Sequence, residues 1–184
     1  MNEIGDDVEA LLIGGRAGVG KTTVGWEVSV LLRAAGVPHA VVDGDFMGQI
    51  HPAPDGDPRR AHITERNLTA VWANFAATGC RRLVYTNTAS VLTETTGMFE
   101  RAMGPEVRLT RVLLTATDTT ARTRLTGREL GSELAHELAA SARKARLLDR
   151  ASHPATVRVA TDDRSVVDLA REVVATTGWT GRAA

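Results

Sequence analysis

An apolar run, Val8–Ile13, stops at Gly14-Gly15, and beyond Lys21 the apolar residues Val24, Val28, Leu31 and Leu32 recur at helical spacing until Gly36-Val37-Pro38. That order commits the chain to a buried strand, a tight glycine-rich loop and an amphipathic helix. The connecting residues, Gly15-Arg16-Ala17-Gly18-Val19-Gly20-Lys21-Thr22, match G-x-x-x-x-G-K-[ST] at each fixed position. Glycines at those places let successive backbone N–H groups turn inward, and the helix that follows adds its unpaired N–H groups and the positive end of its dipole. The pattern is therefore a phosphate-binding loop. Gly15, Ala17, Gly18, Val19, Gly20 and Thr23 supply the cradle, Lys21 reaches the β- and γ-phosphates, and the Thr22 hydroxyl serves Mg²⁺. The expected ligand is a nucleoside triphosphate, most simply ATP with Mg²⁺.

Composition sharpens what Lys21 means. The chain has only two lysines, Lys21 and Lys144, among 22 basic residues, so arginine is the default cation and the lysine at position 21 is a specific choice. The 22 basic residues are balanced by 22 acidic ones, which argues against a nucleic-acid partner held by surplus cations. A lone cysteine, Cys80, excludes an internal disulfide and any multi-cysteine zinc site. An acidic N-terminal segment without signal-peptide order, and no apolar run approaching the ~18 residues of a membrane span, give an expected cytoplasmic location with no membrane partner.

Further strands are expected at Ala40–Val42, Arg82–Thr86, Val107–Thr115 and Thr156–Ala160. Helices are expected around Leu68–Phe75, over Ser90–Met103, from Asp118 as a cap, over Leu134–Arg150 and over Val166–Thr177. Residues 51–58, rich in Pro, Gly and Asp, read as loop. Strands alternating with helices at this interval define an α/β chain with a five-stranded parallel sheet covered on both faces, and 184 residues suit a single domain.

Asp43-Gly44-Asp45 ends the second strand, on the rim where ligands bind in such sheets. One carboxylate can accept the proton of an acceptor hydroxyl while the other helps hold Mg²⁺. The first reading sets Asp43 toward the acceptor and Asp45 with Thr22 on the metal, and both acids are candidate substrate contacts. Arg122, Arg124 and Arg128 flank a break at Gly127–Gly131, and a lid over about residues 122–133 is expected to close on the phosphates through Arg128. There is no Asn-Lys-x-Asp guanine-reading segment, and the third strand ends Tyr85-Thr86-Asn87 without the Asp-Glu of motor ATPases. These features favour phosphoryl transfer to a small acceptor, catalysed by Lys21, Asp43 and Arg128. The rival is a slow nucleotide-hydrolysing regulator or chaperone.

Gly15 to Thr23, the strand ending Val41-Val42-Asp43-Gly44-Asp45, and Arg66-Asn67-Leu68 leading into a helix that ends Ala77-Thr78-Gly79 together resemble the adenylylsulfate kinase-like branch of small phosphate-loop kinases. The resemblance implies a sheet of order 2-3-1-4-5, ATP with Mg²⁺, a small-molecule hydroxyl acceptor near Asp43, Arg66 and Asn67, and adenine near Thr161 and the lid. It is compatible with a monomer or a homodimer. Where that family carries Ser-Pro-Tyr-Arg after the third strand, this chain has Asn87-Thr88-Ala89-Ser90, so the expected acceptor is a different small alcohol or a nucleoside-like molecule.

Overall fold

Every side chain of Ala10–Ile13 is buried, so the first strand, β1 (Glu9–Gly14), is sheathed on both faces. Leu11 and Ile13 pack on one side with Val24, Val28 and Leu32, and with Leu169 and Val173. Ala10 and Leu12 pack on the other with Leu68, Trp72, Tyr85 and Phe99. Strand alternation sends neighbouring side chains to opposite faces, and each fully buried aliphatic side chain adds about 1.5–3 kcal/mol of transfer free energy. Two helical layers therefore stand on one sheet. The computed structural model describes residues 7–128 and 134–181, and of Arg128 and His136 only the backbone.

The other strands are β2 (Ala40–Asp43), β3 (Arg82–Thr86), β4 (Arg108–Thr115) and β5 (Val157–Ala160), all parallel and ordered β2-β3-β1-β4-β5. This is the expected α/β sheet. Helices α1 (Lys21–Ala34) and α6 (Val166–Ala175) cover one face, and α2 (Ala61–Ala77) and α3 (Thr96–Met103) cover the other. Helices α4 (Asp118–Arg128) and α5 (Leu134–Ala151) follow β4. Among the described residues no helix is long and apolar enough to cross a membrane.

Three expected helix starts change. Helix α2 begins at Ala61, ahead of the apolar stripe, because the buried Asp57 carboxylate accepts the N–H groups of Ala61 (2.8 Å) and Ile63 (3.1 Å). Burial pushes the Asp57 carboxyl up, but the Ile63 and Ala61 N–H groups outweigh it and hold it below the usual range. The helix expected from Ser90 starts only at Thr96, after a 3-10 turn over Thr93–Thr95 where the Thr95 hydroxyl donates to Leu92 O at 2.8 Å. Asp118 does not cap α4. The Thr117 hydroxyl does, accepting the Thr120 N–H at 3.2 Å.

Register decides where the chemistry can sit. Asp43 is level with Thr86 on β3, and Thr86 is level with Ile13 on β1, so the acidic turn and the phosphate loop leave the sheet at the same height. Gly44 holds that turn against β3. A Cβ there would lie 2.1 Å from both Cζ and the hydroxyl oxygen of Tyr85, a ring locked edge-on against Phe99 at 5.1 Å. Gly44→Ala should therefore cost about 1–3 kcal/mol by overpacking, measured as a lowered urea midpoint with an unchanged slope.

Candidate active site

Between Gly14 and Lys21 the backbone takes conformations that side-chain-bearing residues avoid. Gly18 has φ +87°, and a Cβ on it would meet Ala121 O at 2.8 Å, so the loop presses directly on α4. Arg16 is only 6% exposed. Its Nε donates to the Ser141 hydroxyl on α5 (2.8 Å), and Nη1 pairs with the Asp118 carboxylate on α4. Ser141 Oγ in turn donates to Ala17 O at 2.9 Å. Arg124 Nη1 donates to Val19 O (3.3 Å) and to the Thr161 hydroxyl (2.9 Å), and Nη2 donates to Thr161 O (3.0 Å). Two arginines thus stitch the loop to α4, α5 and the end of β5.

Lys21 and Thr22 open α1, with the lysine side chain 8% exposed. Thr22 Oγ1 donates to Asp43 Oδ2 at 2.9 Å, while Asp43 Oδ1 accepts the Asp45 N–H at 3.1 Å. Asp45 has different company. Its Oδ1 accepts from Asn87 Nδ2 (2.8 Å), and its Oδ2 lies 4.0 Å from Lys21 Nζ. Burial, then the charges of Asp45 and Asp43, raise the Tyr85 phenol above its ordinary value, so it stays neutral beneath the acids.

A cavity of about 1020 Å³ is lined by the phosphate loop, Lys21, Thr22, both acids, Thr88 and Arg124. A second, of about 580 Å³, lies toward the start of α2. Asp45 and Gln49 line both. Phe46, 69% exposed, lines the larger one. Among the described residues no group of three or more His, Cys, Asp or Glu could hold a metal ion. The Thr22 hydroxyl and Asp43 carboxylate are nonetheless the hard oxygen donors that suit Mg²⁺, an ion that completes its shell with phosphate oxygens and water.

The expected site residues divide accordingly. Ala17, Gly18, Gly20, Lys21, Thr22, Thr23, Asp43 and Asp45 share one cavity. Gly15 and Val19 are buried behind it, their glycine φ and apolar packing shaping the loop. Thr161, expected beside adenine, has no exposed surface and lies behind Arg124, which lines the cavity itself. Arg66 and Asn67 are exposed and line neither cavity. Asn67 Nδ2 donates to Met47 O at 2.8 Å and so braces the segment after the acidic turn. The Arg128 side chain and residues 129–133 of the expected lid lie outside the described residues. Sequence reading missed Arg16, Ser141 and Asn87, because nothing in their spacing tells that tertiary structure buries or pairs them.

No protein-family model matches the chain, and no curated protein does. Solved structures do. A tunicamycin resistance protein from Deinococcus radiodurans aligns over 93% of this chain and 96% of its own, with TM-score 0.62 and 18% identity. A gluconokinase from Sinorhizobium meliloti 1021 aligns over 91% and 90%, with TM-score 0.58 and 16% identity. The Mycobacterium tuberculosis APS kinase, solved with AMPPNP and APS, aligns over 93% and 98%, with TM-score 0.56 and 18% identity. The chain shares with these proteins an α/β fold of the phosphate-loop type, here a five-stranded parallel sheet of order β2-β3-β1-β4-β5 with helices on both faces.

Ser141→Ala would leave the buried Arg16 Nε without its acceptor, and should lower stability by about 1–3 kcal/mol in a thermal or urea melt. The Arg16 hydrogen bond and charge also hold the Asp118 carboxyl below the usual range. A depressed folded-state pKa stabilises above the unfolded value and is lost as pH falls through the folded one. The stability of Asp118→Asn should therefore fall less steeply than that of the parent chain below about pH 4.

Proposed function

We propose that the chain is an ATP-dependent kinase that phosphorylates a hydroxyl of a small metabolite. The observation that carries this reading is the position of Asp45, within 4.0 Å of Lys21 Nζ and lining both cavities, so that one carboxylate faces the donor and the acceptor alike. Two of the three structural neighbours described above are by name kinases of small molecules, which supports the same class.

In this mechanism the loop N–H groups and Lys21 hold the β- and γ-phosphates and offset the charge that spreads over the transferred group. Mg²⁺, when bound, would neutralise phosphate charge, and Thr22 with Asp43 are the residues that would hold it. The two carboxylates thus take roles opposite to the first reading of the sequence, because Asp43 accepts the Thr22 hydroxyl and Asp45 does not. Asp45 orients the acceptor O–H and takes its proton. The acceptor oxygen bonds to the γ-phosphorus while the bond to the β–γ bridging oxygen breaks, and that electron pair leaves with ADP. Asn87 fixes the Asp45 rotamer through its amide hydrogen bond. Arg124, bonded to the loop at Val19 O, adds a cation to the lining of the donor cavity, while the lid contact expected of Arg128 falls on a side chain outside the described residues.

Lys21→Ala should lower kcat by about 10²- to 10³-fold, and Asp45→Asn by about 10²- to 10⁴-fold, each with an unchanged melting profile. Asp43→Asn should instead raise the Mg²⁺ concentration needed for half-maximal turnover. The assay follows ADP and phosphoester together over a panel of alcohols, sugars and hydroxy acids. An ATP consumption rate that no acceptor changes, but that a protein partner raises, would point to a regulator and refute the kinase.

A further inference from the structure

The smaller cavity has an uneven charge. Its lining includes Arg59 and Arg60, from the turn that opens α2, with His51 beside them and Asp45 as the only acid among the described lining residues. Neither arginine has a carboxylate within ion-pair distance among the described residues. Arg60 Nε donates to Ile50 O at 3.0 Å, which fixes the guanidinium stem and commits none of its terminal nitrogens to an acid. Asp57 is the acid closest in sequence, and both of its oxygens accept backbone N–H groups of α2. The wall is closely built. A Cβ on Gly48 would lie 2.8 Å from Thr64 Oγ1 and 3.3 Å from Arg60 Cβ, so the segment after the acidic turn rests on the arginine-bearing turn.

Arg59 is exposed and Arg60 half-buried, so a neutral acceptor would leave both guanidinium groups to solvent and draw nothing from them. An anionic acceptor, without those groups, would be repelled by Asp45 and by the triphosphate. The two facts fit one ligand. We propose that the phosphate acceptor is an anion, a small hydroxylated molecule whose oxyanion, carboxylate or phosphate ester, is held by Arg59 and Arg60 while its hydroxyl faces Asp45. This rests on the kinase reading above for the hydroxyl end. The oxyanion end rests on the arginine pair alone. Guanidinium forks are suited to both oxyanions, since they offer paired N–H donors in a fixed plane.

The test uses matched probes that differ only in charge: glycerol, glycerate and glycerol 3-phosphate, and glucose, gluconate and glucose 6-phosphate. Each is assayed for phosphoryl transfer from ATP. Each is also titrated calorimetrically, with inorganic phosphate as a further probe, into the full chain loaded with Mg²⁺ and a non-hydrolysable ATP analogue. The anionic members should bind or react at least about tenfold better than their neutral parents. Arg59→Gln/Arg60→Gln should raise their KM or Kd by at least about tenfold, erase the preference over the neutral parents, and leave the KM for ATP unchanged. Arg171→Gln, which removes an exposed cation paired with Asp168 on α6, controls for overall charge. The carboxylate and phosphate arms show which oxyanion the pair prefers. Equal use of neutral and anionic probes overturns the proposal. So does anion binding that the double variant leaves intact, or the absence of binding by every oxyanion probe. Anion binding that the double variant abolishes, in a chain whose ATP consumption no acceptor of the panel changes and a protein partner raises, would keep the oxyanion site and refute the kinase reading, so the two can fail separately.

Discussion

A buried guanidinium organises the nucleotide half of this molecule. Removing a charged side chain from water costs several kcal/mol unless it is paired, and the buried Arg16 is partnered from two helices at once. Its partners are Asp118 on α4 and Ser141 on α5, and Ser141 returns a hydrogen bond to Ala17 O one residue away on the phosphate loop. The loop is therefore tied to both α4 and α5, and a shift of α5 would strand the buried Arg16 Nε. Arg124 repeats the device from the other side, joining Val19 O to Thr161. A flexible glycine loop is preorganised because the carbonyls of Ala17 and Val19 are held by Ser141 of α5 and Arg124 of α4.

The acids obey a second constraint, that like charges so near each other need separate counter-partners. Asp43 is satisfied by a hydroxyl and a backbone N–H. Asp45 is satisfied by an amide and approached by an ammonium group. This also accounts for the neutral end of β3. A carboxylate at position 87 would stand within 2.8 Å of Asp45 Oδ1, whereas the Asn87 amide donates there. Asn87 thus keeps the end of β3 neutral beside the two acids that follow β2.

Local signals were legible in the sequence where one segment supplies all the physics. The apolar run, the glycines and the helical stripe up to Leu32 needed no distant partner, and Arg82–Thr86 forms β3 over the residues its apolar core suggests. What escaped reading depends on residues far apart in the chain. Thr161 follows a strand on the correct rim, but the Arg124 guanidinium lies against it, 37 residues away in sequence. The start of α2 was hidden because Asp57 caps it across Pro58, inside a stretch whose composition reads as loop. Asn67 stands on the helix that the family resemblance picks out, yet its amide is spent on Met47 O. The two aspartates were found from position alone, but their different hydrogen-bond partners depend on side chains distant in sequence.

That same stretch explains how a chain with 22 basic and 22 acidic residues can still concentrate charge where a substrate would bind. Its exposed ion pairs, such as Glu65 with Arg101 and Asp149 with Arg158, cancel on the surface and contribute little to stability. The cavities are different. Lys21 and Arg124 stand on the donor side, and Arg59 and Arg60 on the other, around the two carboxylates of the β2 turn. Fields add in a concave, partly desolvated space and are screened on an open surface. A net charge of zero is then no obstacle to drawing in a triphosphate and, on the proposal made here, a second anion. Asp45 lines both cavities between the two cation sets, at the boundary that a phosphoryl group would cross on that proposal.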